Sequence, residues 1–176
     1  IANKIFYKYL NLNFSNILTL KSPYIEKAIF ESCKIKKKIV QKDEKEKNLR
    51  KILNFGHTFA HAYEATLGYT KKLNHGEAVL LGIYSALNFS FRNKLLSTNE
   101  YYSITKHIKD SNLPFRIEKY FNLKHLRKIL SFMLKDKKNK SDKINLILLK
   151  RIGHPIINNV YSKNILKTFL KNELTN

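Results

Sequence analysis

Three of the six histidines, His57, His61 and His75, lie close together in the chain. Because His61 follows His57 by one helical turn, the two side chains share one face of a helix, and Glu64 falls on the same face. Neutral imidazole is a common zinc ligand, and catalytic zinc takes three protein ligands and leaves one position open. The spacing predicts a metal site, but an accidental histidine pair on a surface or in a core stays open on spacing alone.

Zinc proteases carry a different pattern, His-Glu-x-x-His, in which the glutamate is the general base. Thr58 stands at that glutamate position here. The pattern therefore excludes that class of metal enzyme and leaves the reaction open.

Two predicted helices position these histidines. Residues 49–67 have helical periodicity with a break at 54–56, and an apolar helix is predicted from Glu77 to about Phe91. His57 and His61 would lie on the first helix, and His75 would stand at the mouth of the second.

The rest of the chain is also predicted to be mainly helical. Ser22 and Pro23 are typical of a helix start, with Ser22 as N-cap and Pro23 as first helical residue. The best strand signal is an apolar run near the end of the chain, followed by a short possible return strand. The predicted fold is therefore mainly α with a small β-hairpin. Helices are expected at 2–12, 23–41, 98–109, 122–135 and after Ser162, and strands at 144–149 and 156–157.

Composition narrows the possible classes of protein. Of the 176 residues, 43% are hydrophobic, which is typical of one folded domain over residues 1–176. Cys33 is the only cysteine, so no internal disulfide can form, and a reducing, cytoplasmic setting is expected. We expect Cys33 to be a buried, small apolar residue. No stretch is long and apolar enough for a membrane span.

The formal net charge of +21 raises the alternative of nucleic-acid binding. The lysines are scattered along the chain, however, and the densest run, at 34–38, is short. Aromatic residues do not interleave with that run as they do on surfaces that stack single strands. We therefore expect solvated faces and no nucleic-acid partner.

Two ordered motifs resemble the signature segments of the 3-dehydroquinate synthase family. They are RKILNFGHTFAHAYE at residues 50–64 and HGEAV at 75–79. The segments SCKIK at 32–36, DEKE at 43–46 and DKKN at 136–139 are similar to the family as well. The resemblance extends over nearly the whole chain.

The resemblance implies a reaction and its cofactors. The family are lyases that convert 3-deoxy-D-arabino-heptulosonate 7-phosphate (DAHP) to 3-dehydroquinate and phosphate, in the shikimate pathway to aromatic amino acids. It implies NAD, zinc or cobalt, a small sugar-phosphate substrate and a homodimer. A related sugar-phosphate cyclase remains the alternative.

The resemblance also implies a missing half. The chain starts at Ile1 and has no Gly-x-Gly-x-x-Gly segment. The nucleotide-binding domain is therefore expected upstream, and this chain is expected to be the C-terminal domain. A third zinc ligand, a glutamate, is expected there too. We expect the isolated fragment to be inactive.

Residue by residue, the resemblance assigns two metal ligands and a set of substrate contacts. Glu64 is expected to orient a metal-bound histidine. The metal ligands are His57 and His75, and the substrate and catalytic positions are Asn54, His61, Arg50, Lys36, Glu46 and a phosphate-binding lysine, Lys137 or Lys138.

Overall fold

The structure is a computed structural model, and it describes residues 2–111, 113–135 and 143–175. Within these ranges the protein is mainly helical, with one hairpin near the end, as the sequence predicts. The helices are α1 (Lys4–Leu18), α2 (Tyr24–Lys42), α3 (His57–Thr66), α4 (His75–Arg92), α5 (Thr98–Asp110), α6 (Leu126–Lys135) and α7 (Lys163–Glu173), and the strands are β1 (Lys143–Arg151) and β2 (His154–Ser162). Short 3-10 helices cover Leu49–Asn54, Ile117–Lys119 and Leu123–His125.

The core lies where α3, α4, α6, α7 and β1 meet. Helix α3 contributes Phe59 and Tyr63, which are 1% and 0% exposed. The Tyr63 hydroxyl lies 2.8 Å from the Ser85 hydroxyl of α4, so the buried polar atom has a partner. Helix α3 packs between α4 and α6, and His57 and His61 lie on its less buried face.

The two strands pair antiparallel and are interrupted by a β-bulge. Leu146 pairs with Asn159 and Leu148 pairs with Ile156, so β2 has one more residue than β1 between these pairs. Such a bulge bends the strand and turns a side chain. Strand β2 is also longer than the short return strand expected from the sequence.

The start of α2 differs from the expectation. Pro23 is the cap residue, and Ser22 lies outside the helix with no capping hydrogen bond from its side chain. The carbonyl of Lys21 instead accepts the backbone N–H groups of Tyr24 and Ile25, at 3.0 and 3.1 Å. Main-chain hydrogen bonds therefore replace the predicted serine cap.

Cys33 is exposed, so its predicted burial was wrong. The buried residues of α2 are Ala28 and Ile39, which share one face of the helix. At about 100° per residue, Cys33 lies roughly 140° from Ala28, away from that face. Ile29, expected in the same apolar stripe, is 57% exposed for a similar reason.

Within residues 2–111, 113–135 and 143–175, every helix is too short or too polar to cross a lipid bilayer.

Candidate active site

His57 is the first residue of α3 and directly follows a turn at Gly56. The 3-10 helix ends at Asn54, and Gly56 then takes a left-handed conformation with φ +82°. Only glycine adopts this conformation without steric cost. The chain thus turns sharply into α3, and the Nδ1 atom of His57 lies 3.4 Å from the carbonyl oxygen of Phe55.

His75 begins α4 and is held by a carboxylate on α3. Its Nδ1 atom lies 3.1 and 3.2 Å from the two carboxylate oxygens of Glu64. The helix start itself is fixed by Glu77, whose carboxylate accepts the backbone N–H of Asn74 at 2.8 Å. Glu64 therefore links the two helices at the point where they present histidines.

The three histidine rings form one cluster. The ring centroids of His57 and His61 are 5.5 Å apart, those of His57 and His75 are 6.0 Å apart, and those of His61 and His75 are 6.4 Å apart. The predicted proximity of the three is therefore present in the fold, across two helices and the connection between them.

Hydrogen-bond partners distinguish the three imidazoles. A carbonyl or an ionised carboxylate only accepts. A neutral ring of His57 or of His75 would therefore carry its proton on Nδ1 and its lone pair on Nε2. Metal-binding histidines usually have such a partner on the other ring nitrogen. The exposed ring of His61 packs against those of His57 and His75 but has no hydrogen bond to any other described residue.

The chemistry of these donors fits zinc or cobalt. Burial lowers the pKa of His57, and the neighbouring His61 and His75 lower it further, which favours the neutral ring that a metal needs.

The described part of the chain does not form a complete metal site. No group of three or more His, Cys, Asp or Glu side chains in it is arranged to hold a metal ion. His57 and His75 are two candidate donors, and a catalytic zinc site of three protein ligands would need one more.

A cavity of about 270 Å³ borders His57 and His61. It lies between the 3-10 helix Leu49–Asn54, the start of α3 and the hairpin. Four residues that the sequence analysis assigned to the site meet there. The lining residues are Glu46, Lys51, Asn54, His57, Thr58, His61, Asn145, Ile147, Ile157 and Asn158.

Asn54 and Glu46 contact each other on one side of this cavity. The Asn54 side-chain amide donates to the Glu46 carboxylate at 2.7 Å. Glu46 has φ +53°, a conformation that is uncommon for a residue with a side chain. The pair offers a carboxylate and a carboxamide oxygen to whatever occupies the cavity.

Asp43 orders the loop that carries Glu46. Its carboxylate accepts three backbone N–H groups, from Lys47 at 2.9 Å, Asn48 at 2.7 Å and Arg50 at 3.0 Å. The N–H groups of Arg50 and Asn48 lower the pKa of this carboxyl below its ordinary value. The charged segment that carries Glu46 is therefore folded around one aspartate.

Other predicted site residues lie outside the cavity. The Arg50 guanidinium donates to the carbonyl of Glu44 at 2.7 Å, and Lys36 is exposed on α2. Neither lines the cavity, and neither does His75. Lys137 and Lys138 lie outside the described residues.

Sequence reasoning missed several lining residues. Lys51 adds a cation to the cavity, and the Thr58 hydroxyl donates to the carbonyl of Asn145 at 3.4 Å, joining α3 to β1. Asn145 and Asn158 come from the hairpin, which lies about ninety residues further along the chain. No local pattern relates such distant residues, although the position of Lys51 next to Arg50 could have suggested that lysine.

Comparison with known proteins identifies the family. Residues 1–139 match the family described as 3-dehydroquinate synthase C-terminal. The chain is 55% identical over 175 residues to the 3-dehydroquinate synthase of Pelagibacter ubique strain HTCC1062, which covers 99% of this chain and 48% of that protein. It is 38% identical over 168 residues to that of Dictyoglomus thermophilum, covering 95% of this chain and 46% of that protein. The chain spans about half the length of these relatives.

Solved structures share the fold. A 2-epi-5-epi-valiolone synthase from Streptomyces hygroscopicus subsp. jinggangensis 5008, with NAD⁺ and Zn²⁺ bound, superposes with a TM-score of 0.77 at 16% identity, over 99% of this chain and 48% of that one. A 2-deoxy-scyllo-inosose synthase complexed with carbaglucose-6-phosphate, NAD⁺ and Co²⁺ superposes with a TM-score of 0.63 at 24% identity. The match covers 85% of this chain and 40% of that one. With the histidine cluster beside its cavity and the match over residues 1–139, the chain belongs to the 3-dehydroquinate synthase C-terminal family.

Proposed function

We propose that this chain is the metal- and substrate-binding half of a 3-dehydroquinate synthase, which converts DAHP to 3-dehydroquinate and phosphate. One observation carries the proposal. His57 and His75 each have Nδ1 tied to an acceptor, so Nε2 is available, and His57 borders a cavity that Asn54, Glu46 and His61 also line. The names of the relatives supply the product, 3-dehydroquinate, and the family resemblance supplies the substrate, DAHP.

The metal ligands in this chain are His57 and His75. Zinc or cobalt fits neutral imidazole, and the neighbouring structures contain Zn²⁺ or Co²⁺. When bound, such an ion is a Lewis acid that polarises a substrate hydroxyl or carbonyl. The third protein ligand is proposed to come from the part of the relatives that this chain does not span.

His61 is proposed to move protons at the substrate. Its ring borders the cavity and has no hydrogen bond within the described residues, so either ring nitrogen can face the reacting group. An imidazole has an ordinary pKa near neutrality and can both accept and donate a proton there.

The remaining side chains are proposed to bind and orient the substrate. Asn54 and Glu46 fit hydroxyl groups, because together they donate and accept hydrogen bonds. Lys51 lines the cavity as a cation, and Arg50 and Lys36 are the further cations assigned by the family resemblance. Cations suit the carboxylate and phosphate of DAHP. Lys137 or Lys138 is proposed for the phosphate too.

NAD is proposed to bind to the half of the relatives that this chain does not span. When bound, NAD would supply a reversible hydride acceptor, so it would not be consumed. Residues 1–176 alone are proposed to be a catalytically inactive C-terminal domain. We refer below to the full-length protein, meaning this chain joined to the other half found in its relatives.

The oligomeric state and the cellular compartment are proposed from the family resemblance and from the cysteine content. The family resemblance supports a homodimer of the full-length protein. The single, exposed Cys33 supports a reducing compartment and therefore the cytoplasm. A small sugar phosphate, and no nucleic acid or membrane, is the proposed partner.

A complementation experiment tests the proposed function. The chain is fused to the other half of the Pelagibacter ubique synthase, its 55% identical relative, and expressed in bacteria that lack their own synthase. Growth without aromatic amino acids is expected for this fusion and not for one carrying His57→Ala. No growth of the folded, metal-loaded fusion would contradict the proposal and would favour a related cyclase with another sugar phosphate.

A further inference from the structure

The β-bulge of the hairpin lies directly on the candidate cavity. At the bulge, Ile147 of β1 stands opposite two residues of β2, Ile157 and Asn158. All three line the cavity that His57 and His61 border. Bulges often turn a side chain away from the regular alternation of a strand, so this one determines what the hairpin presents to the site.

Asn158 has a left-handed backbone conformation at this bulge, with φ +62°. Such conformations are uncommon outside glycine and concentrate at functional sites. Five described residues other than glycine have positive φ, and two of them, Asn158 and Glu46, line this one cavity. The site is therefore bordered by two unusual backbone conformations, on two separate segments.

The Asn158 side chain is available for a ligand. It is exposed, and its carboxamide makes no hydrogen bond to any other described residue. A carboxamide offers two donors and one acceptor oxygen, which suits a hydroxyl group better than a purely charged group does. Asn54 and Glu46, which line the same cavity, are already bonded to each other.

We propose that Asn158 is a substrate-binding residue whose carboxamide holds a hydroxyl group of the sugar-phosphate substrate. The inference deepens the proposed function and rests on it. It assigns to the hairpin a part in substrate selection. The sequence motifs instead place substrate contacts on the 3-10 helix, on α3, in the segment before them and at Lys137 or Lys138. The competing explanation is conformational, because asparagine also tolerates positive φ better than most residues.

Three variants of the full-length protein separate these explanations. Asn158→Gly keeps the left-handed conformation and removes the carboxamide. Asn158→Ala removes the carboxamide and also strains the backbone. Asn158→Asp keeps the shape but replaces a donor by a negative charge, which repels an anionic substrate.

The measurements are steady-state kinetics with DAHP, equilibrium binding of DAHP and thermal unfolding. For Asn158→Gly we expect unchanged or slightly higher stability and a rise in KM and in Kd of roughly 3- to 10-fold, the range for one neutral hydrogen bond. Asn158→Asp is expected to raise KM further. Leu20→Gly, at another left-handed residue (φ +56°) that does not line the cavity, is the control and should change neither constant.

Wild-type KM and Kd in Asn158→Gly, with lower stability in Asn158→Ala, would overturn the inference and leave a purely conformational residue. The proposed function would stand in that case, because the wild-type protein would still turn over. If the wild-type protein binds DAHP without turning it over, the proposed function fails, and the Kd of Asn158→Gly still decides the inference. If the wild-type protein does not bind DAHP, both are overturned.

Discussion

Gly56 and Gly82 lie backbone against backbone where α3 and α4 cross. A Cβ atom added to Gly56 would come within 2.8 Å of the Gly82 carbonyl carbon, and one added to Gly82 would overlap the Gly56 carbonyl oxygen. The same crossing sets how far His57, at the start of α3, lies from His75, at the start of α4. The spacing of the two metal-ligand candidates therefore depends on two glycines that do not line the candidate cavity.

Gly82→Ala is expected to destabilise the protein by about 1–3 kcal/mol, because the added methyl group forces the two backbones apart. The spacing between His57 and His75 should increase with it, so the affinity for zinc should fall. Thermal unfolding and zinc titration calorimetry on the full-length protein measure the two effects.

Gly76→Ala is the matched control on the same helix. A Cβ atom at Gly76 meets nothing within 4 Å, and alanine is favoured over glycine in a helix by up to about 1 kcal/mol. Equal or higher stability and unchanged zinc affinity are expected. If both alanine variants behaved alike, close backbone approach would not be what positions the histidines.

Glu64 is expected to support metal binding through His75. Glu64→Ala removes the acceptor of the Nδ1 proton, and loss of such a partner typically lowers metal affinity about 10- to 100-fold. Glu64→Gln keeps an acceptor oxygen and should fall between wild type and Glu64→Ala. Zinc or cobalt titration of the full-length protein checks the order, with Glu31→Gln on α2 as control. Wild-type affinity in Glu64→Ala would show that this hydrogen bond does not orient a ligand.

His61 is expected to act on protons and not to hold the metal. His61→Asn should lower kcat by about 10²- to 10⁴-fold, the usual contribution of a general acid or base, and the bound metal should remain. His57→Ala and His75→Ala should instead lose the metal, as elemental analysis of the purified proteins would show. A metal-free His61→Asn would mean that the i, i+4 pair on α3 binds the ion.

Asp43 gives the loop at 43–50 a dependence on pH. Its pKa in the folded protein is lowered, chiefly by the N–H of Arg50, from an ordinary value of 3.8. The stabilisation is therefore fully present above that ordinary value and is lost as the pH falls through the lowered one. NMR signals of the Asn48 and Arg50 amides should titrate with a midpoint below 3.8 and should not titrate in Asp43→Asn. A midpoint at or above the ordinary value would contradict this assignment.

Local patterns predicted much of the fold. The break at 54–56, the helix start near His75 and the strand at 144–149 all have short-range signals, and the structure contains each of them. The length of β2 and its bulge were not predictable, because they depend on pairing with β1. The predicted Ser22 cap of α2 was wrong because the carbonyl of Lys21 competes with the Ser22 hydroxyl for the same N–H groups. The sequence does not show which of these two acceptors binds them.

Only those residues of the candidate site that lie close together in the sequence were predictable. His57, His61, Asn54 and Glu46 are close in sequence, and all four line the cavity. Asn145 and Asn158 reach it through tertiary packing of the hairpin against α4 and the 3-10 helix Leu49–Asn54. Burial of Cys33 was wrong because apolar periodicity does not say which side of α2 faces the core.

Phosphate release from DAHP by the purified, zinc-loaded full-length protein tests the central claim most directly. The account predicts one phosphate and one 3-dehydroquinate per DAHP consumed, a requirement for NAD without net formation of NADH, and no product from the His57→Ala variant. Glucose 6-phosphate should not be consumed. Turnover of glucose 6-phosphate in place of DAHP, or activity that persists in the metal-free His57→Ala variant, would contradict the account.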